Sequence, residues 1–136
     1  MNRAIEKEKQ IINDVVEKAY DVLAFPPGGM PKWDVFMSLF YESAQLSLRV
    51  FPQDKEISLL TLVEYTKAQM GNHLQEEGYS ESPVSNDIEV IGDIAWVRQH
   101  FIMNFSNGRK THAMDIFLLV KKDDRWKIIS VASDML

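Results

Sequence analysis

The sequence predicts an α+β domain, with helices packed on one face of a curved antiparallel sheet. Three observations carry this reading. Val84 to Met135 holds four β-rich runs in succession, joined by tight turns. Ala4 to Ala24 has the apolar period of an amphipathic helix. Helical and strand patterns are segregated along the chain instead of alternating, which favours an antiparallel sheet over a parallel one.

The C-terminal runs are Ser85–Ile91, Ile94–Phe105, Thr111–Lys121 and Trp126–Asp134. Gly92-Asp93, Ser106-Asn107-Gly108-Arg109 and Lys122-Asp123-Asp124-Arg125 separate them. Short Gly and Asn-Gly turns between β-branched or aromatic runs are a strong hairpin signal. These runs therefore form an antiparallel meander.

In the first helix, Ile5, Ile12, Val15, Val16, Ala19, Val22 and Leu23 form one face, and Lys7, Glu8, Asp14, Glu17, Lys18 and Asp21 the other. Pro26-Pro27-Gly28-Gly29 ends it. Pro31 suits the start of a second helix, Pro31 to Tyr41, with Trp33, Phe36, Met37 and Phe40 as its apolar stripe. Ala44 to Val50 alternates strictly and reads as a strand, and Lys55 to Leu60 offers a second short one. Thr61 and Glu64 have the spacing of a capping box, which opens a third helix running from Leu62 to about Gln75. Glu76 to Pro83 is polar and reads as a loop.

At 136 residues the chain suits a single domain with one core, residues 1–136. The 46% apolar and 26% charged shares are those of an ordinary globular protein. Net charge is −5, from 15 Lys and Arg against 20 Asp and Glu. That balance argues against a nucleic-acid surface, which needs a basic face. No apolar run approaches the roughly 20 residues that span a membrane. The charged N-terminus lacks a signal-peptide core. The absence of cysteine excludes disulfides and thiolate chemistry and fits a cytoplasmic location. The Gly28-Gly29 pair lacks the Lys-Ser/Thr of a phosphate loop. Three scattered histidines, His73, His100 and His112, do not have metal-ligand spacing, so neither metal nor cofactor is expected.

Element order and three local patterns resemble the superfamily of nuclear transport factor 2, ketosteroid isomerase and the SnoaL-like cyclases. The patterns are Trp33-Asp34-x-Phe36 leading to Leu39-Phe40-Tyr41-Glu42-Ser43-Ala44, then Gly92-Asp93-x-Ala95-Trp96-Val97, then Leu119 to Ile128 with its charged turn. Asp124 stands where the family usually has Gly. The resemblance spans nearly the whole chain. It implies a cystatin-like cone of curved sheet closed by helices, with a pocket inside and often a homodimer. It does not imply one function, because this fold hosts enzymes, binding domains and assembly modules. In the isomerases the general base lies at the position of Leu48 and the oxyanion acid at that of Leu118, and leucine can do neither job. Tyr20 stands near the family's helix-one tyrosine.

A two-residue Asn107-Gly108 turn would set the register of the last hairpins. Phe101 then opposes Met114, Gln99 opposes Ile116 and Val97 opposes Leu118 on the more apolar face. Trp96 opposes Leu119, Arg98 opposes Phe117 and His100 opposes Asp115 on the other. A one-residue slip would undo every pair. His100 beside Asp115 has the form of an acid–base dyad. It also has the form of a cross-strand ion pair on the outer face or at a dimer contact. His112 would point inward near the hairpin tip.

Two functions are consistent with these residues. One is a SnoaL-like domain that binds a hydrophobic small molecule in an apolar pocket, lined by Tyr20, Phe36, Phe40, Leu48, Gln99, Phe101, Met114, Ile116 and Leu118. Any chemistry would be acid–base isomerisation, cyclisation or dehydration without a cofactor, carried by His100, Asp115 or His112. The other is a non-catalytic homodimeric interaction module, joined through the sheet face that carries Trp96, Ile102, Phe117 and Leu119. A filled core with no cavity is the further alternative to the first.

Overall fold

The computed structural model of the chain describes residues 2–71 and 74–136. Two helices, α1 (Asn2–Leu23) and α2 (Trp33–Ser38), precede strands β1 (Phe40–Leu48) and β2 (Ser58–Thr61). Helices α3 (Leu62–Gln69) and α4 (Leu74–Glu77) follow, then strands β3 (Tyr79–Ile91), β4 (Ile94–Phe105), β5 (Lys110–Lys122) and β6 (Arg125–Met135). His73, expected on the third helix, lies outside the described residues.

The strands form one unclosed sheet in the order β2-β1-β6-β5-β4-β3. All neighbours are antiparallel except β1 and β6, which run parallel and pair Leu46 with Val131. The α+β class and the C-terminal meander are therefore as the sequence predicts.

Helix α1 lies across the concave face because its apolar stripe needs cover. Ile12, Val16, Ala19, Tyr20, Val22 and Leu23 are buried against the sheet. Glu8 pins the helix start to the last hairpin. One carboxylate oxygen accepts from Lys121 Nζ at 2.6 Å and the other from Trp126 Nε1 at 2.5 Å. These contacts hold the Glu8 carboxyl below the usual range, chiefly through Lys121. Farther along α1, Asn86 bridges Asn13 (2.7 Å) and Gln99 (2.8 Å), tying the helix to β3 and β4.

Other elements differ from the sequence reading at their ends. The Thr61–Glu64 capping box is present, but the helix it opens stops at Gln69, and Gly71 separates it from α4. Strand β3 starts at Tyr79, six residues before the expected Ser85. The polar stretch Ser80 to Pro83 is therefore strand, held by β4, with the proline next to a register shift at the sheet edge. In the last turn, Asp123 and Asp124 both take positive φ (52° and 62°), a conformation that favours glycine.

The main correction concerns the β4–β5 register. The loop is Ser106-Asn107-Gly108, three residues rather than two, closed by Gly108 N–H to the Phe105 carbonyl and Phe105 N–H to the Arg109 carbonyl. Gly108 at φ 84° supplies the left-handed residue that such a loop needs. The extra residue shifts every pair by one. Gln99 faces Asp115, Phe101 faces Ala113 and Val97 faces Phe117. The slip turns β5 over. Ala113, Asp115, Phe117 and Leu119 point into the core, and Met114, Ile116 and Leu118 point outward.

Candidate functional site

The concave face of the sheet, α1, α2 and α3 enclose a narrow cavity. The centres of water-sized spheres have about 60 Å³ to move in, so the space holds several waters. Its walls are mostly aromatic and aliphatic. Phe36 lies against Phe40 (ring centroids 4.8 Å apart) and Tyr65 (5.8 Å), while Tyr20 lies against Phe101 (5.4 Å) and Phe117 (6.1 Å). Leu46, Leu48, Val131, Met103 and Met135 complete the apolar surface.

Into this apolar space project two carboxyl groups, Asp115 from β5 and Glu81 from β3. Tyr20 Oη donates to Asp115 Oδ2 at 2.6 Å, joining α1 to β5 across the cone. The Ser133 hydroxyl of β6 also hydrogen-bonds Asp115. Tyr79 Oη donates to Glu81 Oε2 at 2.5 Å. Burial raises the Asp115 pKa to about 6, against the two hydroxyl donors that favour its anion. Burial first, and the nearby Asp115 charge second, raise Glu81 to about 8. The same burial and acidic neighbours push the Tyr20, Tyr65 and Tyr79 hydroxyls far up, so they stay protonated donors. The two acids interact, so their protons leave in two steps belonging to the pair. Between those steps the pair holds one proton. Of the two, Glu81 is the one pushed further up, with one hydroxyl donor where Asp115 has two.

The expected His100–Asp115 dyad does not form. Asp115 points into the cone, and His100 points out of it, opposite Met114. His100 meets His112 instead, with Nε2 and Nδ1 2.8 Å apart, so that one imidazole donates to the other. His112 is exposed on the outer face, not turned inward. Among the described residues no group of three or more His, Asp or Glu side chains is placed to hold a metal ion.

Of the expected pocket residues, Tyr20, Phe36, Phe40, Leu48 and Phe101 line the cavity. Gln99 is buried, but its amide is taken up by Asn86 and by the Ser85 and His100 carbonyls, and it is not in the cavity wall. Met114, Ile116 and Leu118 are on the other side of the sheet, as the shifted register requires. Glu81, Tyr65, Arg49 and Ser133 were missed. Glu81 fell in a stretch read as loop. The signal that could have found it is the length of Ile94–Phe105, which needs a β3 partner reaching back to Tyr79.

The geometry can be compared with solved structures. A protein of Novosphingobium aromaticivorans provisionally named scytalone dehydratase aligns over 100% of this chain and 89% of its own, with 15% identity and a TM-score of 0.77. An NTF2-like protein with a cystatin-like fold from the same organism covers 99% of this chain and 86% of its own, at 12% identity and a TM-score of 0.76. The chain has the nuclear transport factor 2-like fold. The association domain of C. elegans CaMKII also shares it, at 18% identity and a TM-score of 0.69 over 95% of this chain and 96% of its own. No protein-family model matches the sequence, and neither does any curated protein. At these identities the likeness concerns the nuclear transport factor 2-like fold alone, and the site must be argued from its own residues.

Proposed function

We propose that the cone binds a small, ring-bearing hydrophobic molecule and acts on it by acid–base chemistry without a cofactor, as an isomerase, cyclase or dehydratase. The observation that carries this reading is the Tyr20–Asp115 hydrogen bond in an apolar cavity that also holds Glu81. Paired carboxyl groups whose environments separate their pKa values are suited to opposite proton-transfer roles. Near neutral pH, Asp115 is the proton acceptor, held in place by the Tyr20 and Ser133 hydroxyls. Glu81 is the donor.

In a dehydration, Asp115 takes a proton from carbon as the C=C bond forms. The neighbouring C–O bond breaks, and the departing hydroxyl takes the Glu81 proton and leaves as water. Asp115 then returns its proton to Glu81. In an isomerisation the same two groups remove a proton at one carbon and deliver one at another. The isomerase-like base position on β1 is Leu48, so this arrangement moves the acceptor to β5. The provisional dehydratase name of one fold neighbour is in keeping with this class of reaction.

The test is an NMR titration with 4-ethylphenol, a neutral ring with one hydroxyl. Saturable shifts of Phe36, Phe101 and Tyr20 resonances are expected, and Leu48→Trp at the cavity rim should weaken binding about tenfold or more by filling the space. Absence of saturable binding, or shifts confined to the outer sheet face, would overturn the reading.

A second reading has its own observation. The outer face carries Trp96, Met114, Ile116 and Leu118, the last two 41% and 44% exposed. Apolar area of that kind commonly marks association. A homodimer joined through this face fits a fold that also occurs in a protein named as an association domain. The sequence reading placed Phe117 and Leu119 on that face. They are buried in the core, and Ile116 and Leu118 take their places.

A further inference from the structure

The cavity is not polar in the same sense all round. At one end its lining includes Leu48, the last residue of β1, and Arg49 and Val50 just beyond it, of which Arg49 is partly exposed. Arg49 is the only cationic side chain among the described residues that line it. Its Nε donates to Asp134 Oδ1 at 3.1 Å and its Nη1 to the Asp54 carbonyl at 3.3 Å. A guanidinium has five N–H groups in a fixed fork. Two are therefore used, and three have no partner among the described residues. The side chain is 27% exposed, so the free edge of the fork is in a half-dry position at the cavity rim.

The distance to the acids is set by the sheet. Strand β6 lies between β1, which carries the chain to Arg49, and β5, which carries Asp115. Two strand spacings are roughly 10 Å. A ligand that spans them has an anionic group at one end and its reacting carbon at the other, with an apolar body against the aromatic wall. The acidic end repels a second negative charge, which fixes the orientation. One guanidinium, already facing Asp134, matches a monoanion better than a phosphate dianion. The planar fork suits a carboxylate, which it can hold by two parallel hydrogen bonds.

We propose that the substrate class is an apolar monocarboxylic acid, its carboxylate on Arg49 and its reacting carbon between Asp115 and Glu81. This rests on the acid–base reading of the same cavity and adds the group that the ligand must carry.

The experiment compares 3-(4-hydroxyphenyl)propionate with its methyl ester and with 4-ethylphenol, by NMR titration of the full chain at neutral pH. The acid should bind about tenfold or more tightly than the ester, the range of one or two charge-assisted hydrogen bonds. Arg49→Gln should abolish that preference while leaving the ester within about twofold. Arg49→Lys, which keeps the charge and loses the fork, should retain only part of it. If Arg49→Gln fails to fold, Arg49→Lys and the salt dependence of the wild type decide, since added salt should weaken the acid and spare the ester. Acid and ester binding equally well to the wild type would overturn the carboxylate assignment and leave the hydrophobic-ligand reading standing. Equal weakening of acid and ester by Arg49→Gln would also overturn it, because Arg49 would then only shape the rim. Failure of all three compounds to bind would overturn both.

Discussion

Asp115 is buried and Glu81 half-buried, both where an anion is poorly solvated, and that governs their effect on stability. Both folded-state pKa values are raised, from the ordinary 4.5 to about 8 for Glu81 and from 3.8 to about 6 for Asp115. The folded state therefore binds protons more tightly than the unfolded chain. Their favourable contribution is full below the unfolded pKa values and is lost as pH rises through the folded ones. For Glu81 the window is pH 4.5 to 8. The urea midpoint of the wild type should fall across that window, and Glu81→Gln should flatten the fall, gaining on the order of 1 kcal/mol relative to wild type between pH 5 and 8.5. A parallel fall in the variant would show that Glu81 is not the titrating group. A His100–Asp115 ion pair would instead have lowered the Asp115 pKa and made Asp115→Asn most costly near pH 6. The difference is a single register step. It exchanges an imidazolium partner for two neutral hydroxyls, from Tyr20 and Ser133.

The element that delivers Glu81 to the cavity is the start of β3, and its position depends on Gly78. Phe25 and Tyr79 exchange both backbone hydrogen bonds, at 3.0 and 3.1 Å, clamping the chain after α1 to the first residue of β3. Gly78 allows this at φ 80°. A Cβ there would lie 2.9 Å from the Pro27 nitrogen and 3.1 Å from the Phe25 carbonyl oxygen. Gly92, in the β3–β4 turn, also has positive φ (58°) but open space around it. Gly92→Ala should thus cost only the left-handed backbone term, about 1 kcal/mol. Gly78→Ala should cost clearly more, because backbone must also shift. It should also perturb the Tyr79 and Glu81 resonances, which Gly92→Ala should leave alone. Equal urea midpoints for the two variants would mean that the close approach carries no weight.

At the scale of the whole molecule, one sheet separates two chemistries. The concave side holds the acids and the aromatic cavity, and the convex side holds the His100–His112 pair and the apolar surface around Ile116 and Leu118. A substitution on the convex side should therefore change association without changing ligand binding. Light scattering at micromolar concentration is expected to give the mass of a dimer. Leu118→Glu should shift that mass toward the monomer, because a carboxylate buried in the contact has no partner. A monomeric wild type would remove the association reading and leave the cavity reading untouched. No helix among the described residues is long and apolar enough to cross a membrane.

Local chemistry was enough to determine the order of the elements in this protein. The 3.6-residue period of α1, the Thr61–Glu64 capping box, the alternation around Ala44 to Leu48 and the turns at Gly92, Gly108 and Asp123-Asp124 all act within a few residues, and all are present in the fold. Half of the expected site was legible for the same reason, since Tyr20, Phe36, Phe40, Leu48 and Phe101 belong to apolar faces that periodicity identifies. The acids were not. On β5 the set Ala113, Phe117 and Leu119 is about as apolar as Met114, Ile116 and Leu118, so hydrophobicity could not say which faces the core. The choice fell to one residue of loop length at Ser106-Asn107-Gly108. Only the tertiary structure makes that choice. Packing the Tyr20 face of α1 into the cone favours the register in which the buried hydroxyl meets Asp115, because the two strand faces differ little in apolar burial whereas a buried phenol without a partner costs about 1–3 kcal/mol. The parallel β1–β6 pairing, which brings Arg49 to the rim of the same cavity, likewise joins residues more than eighty positions apart and leaves no local pattern.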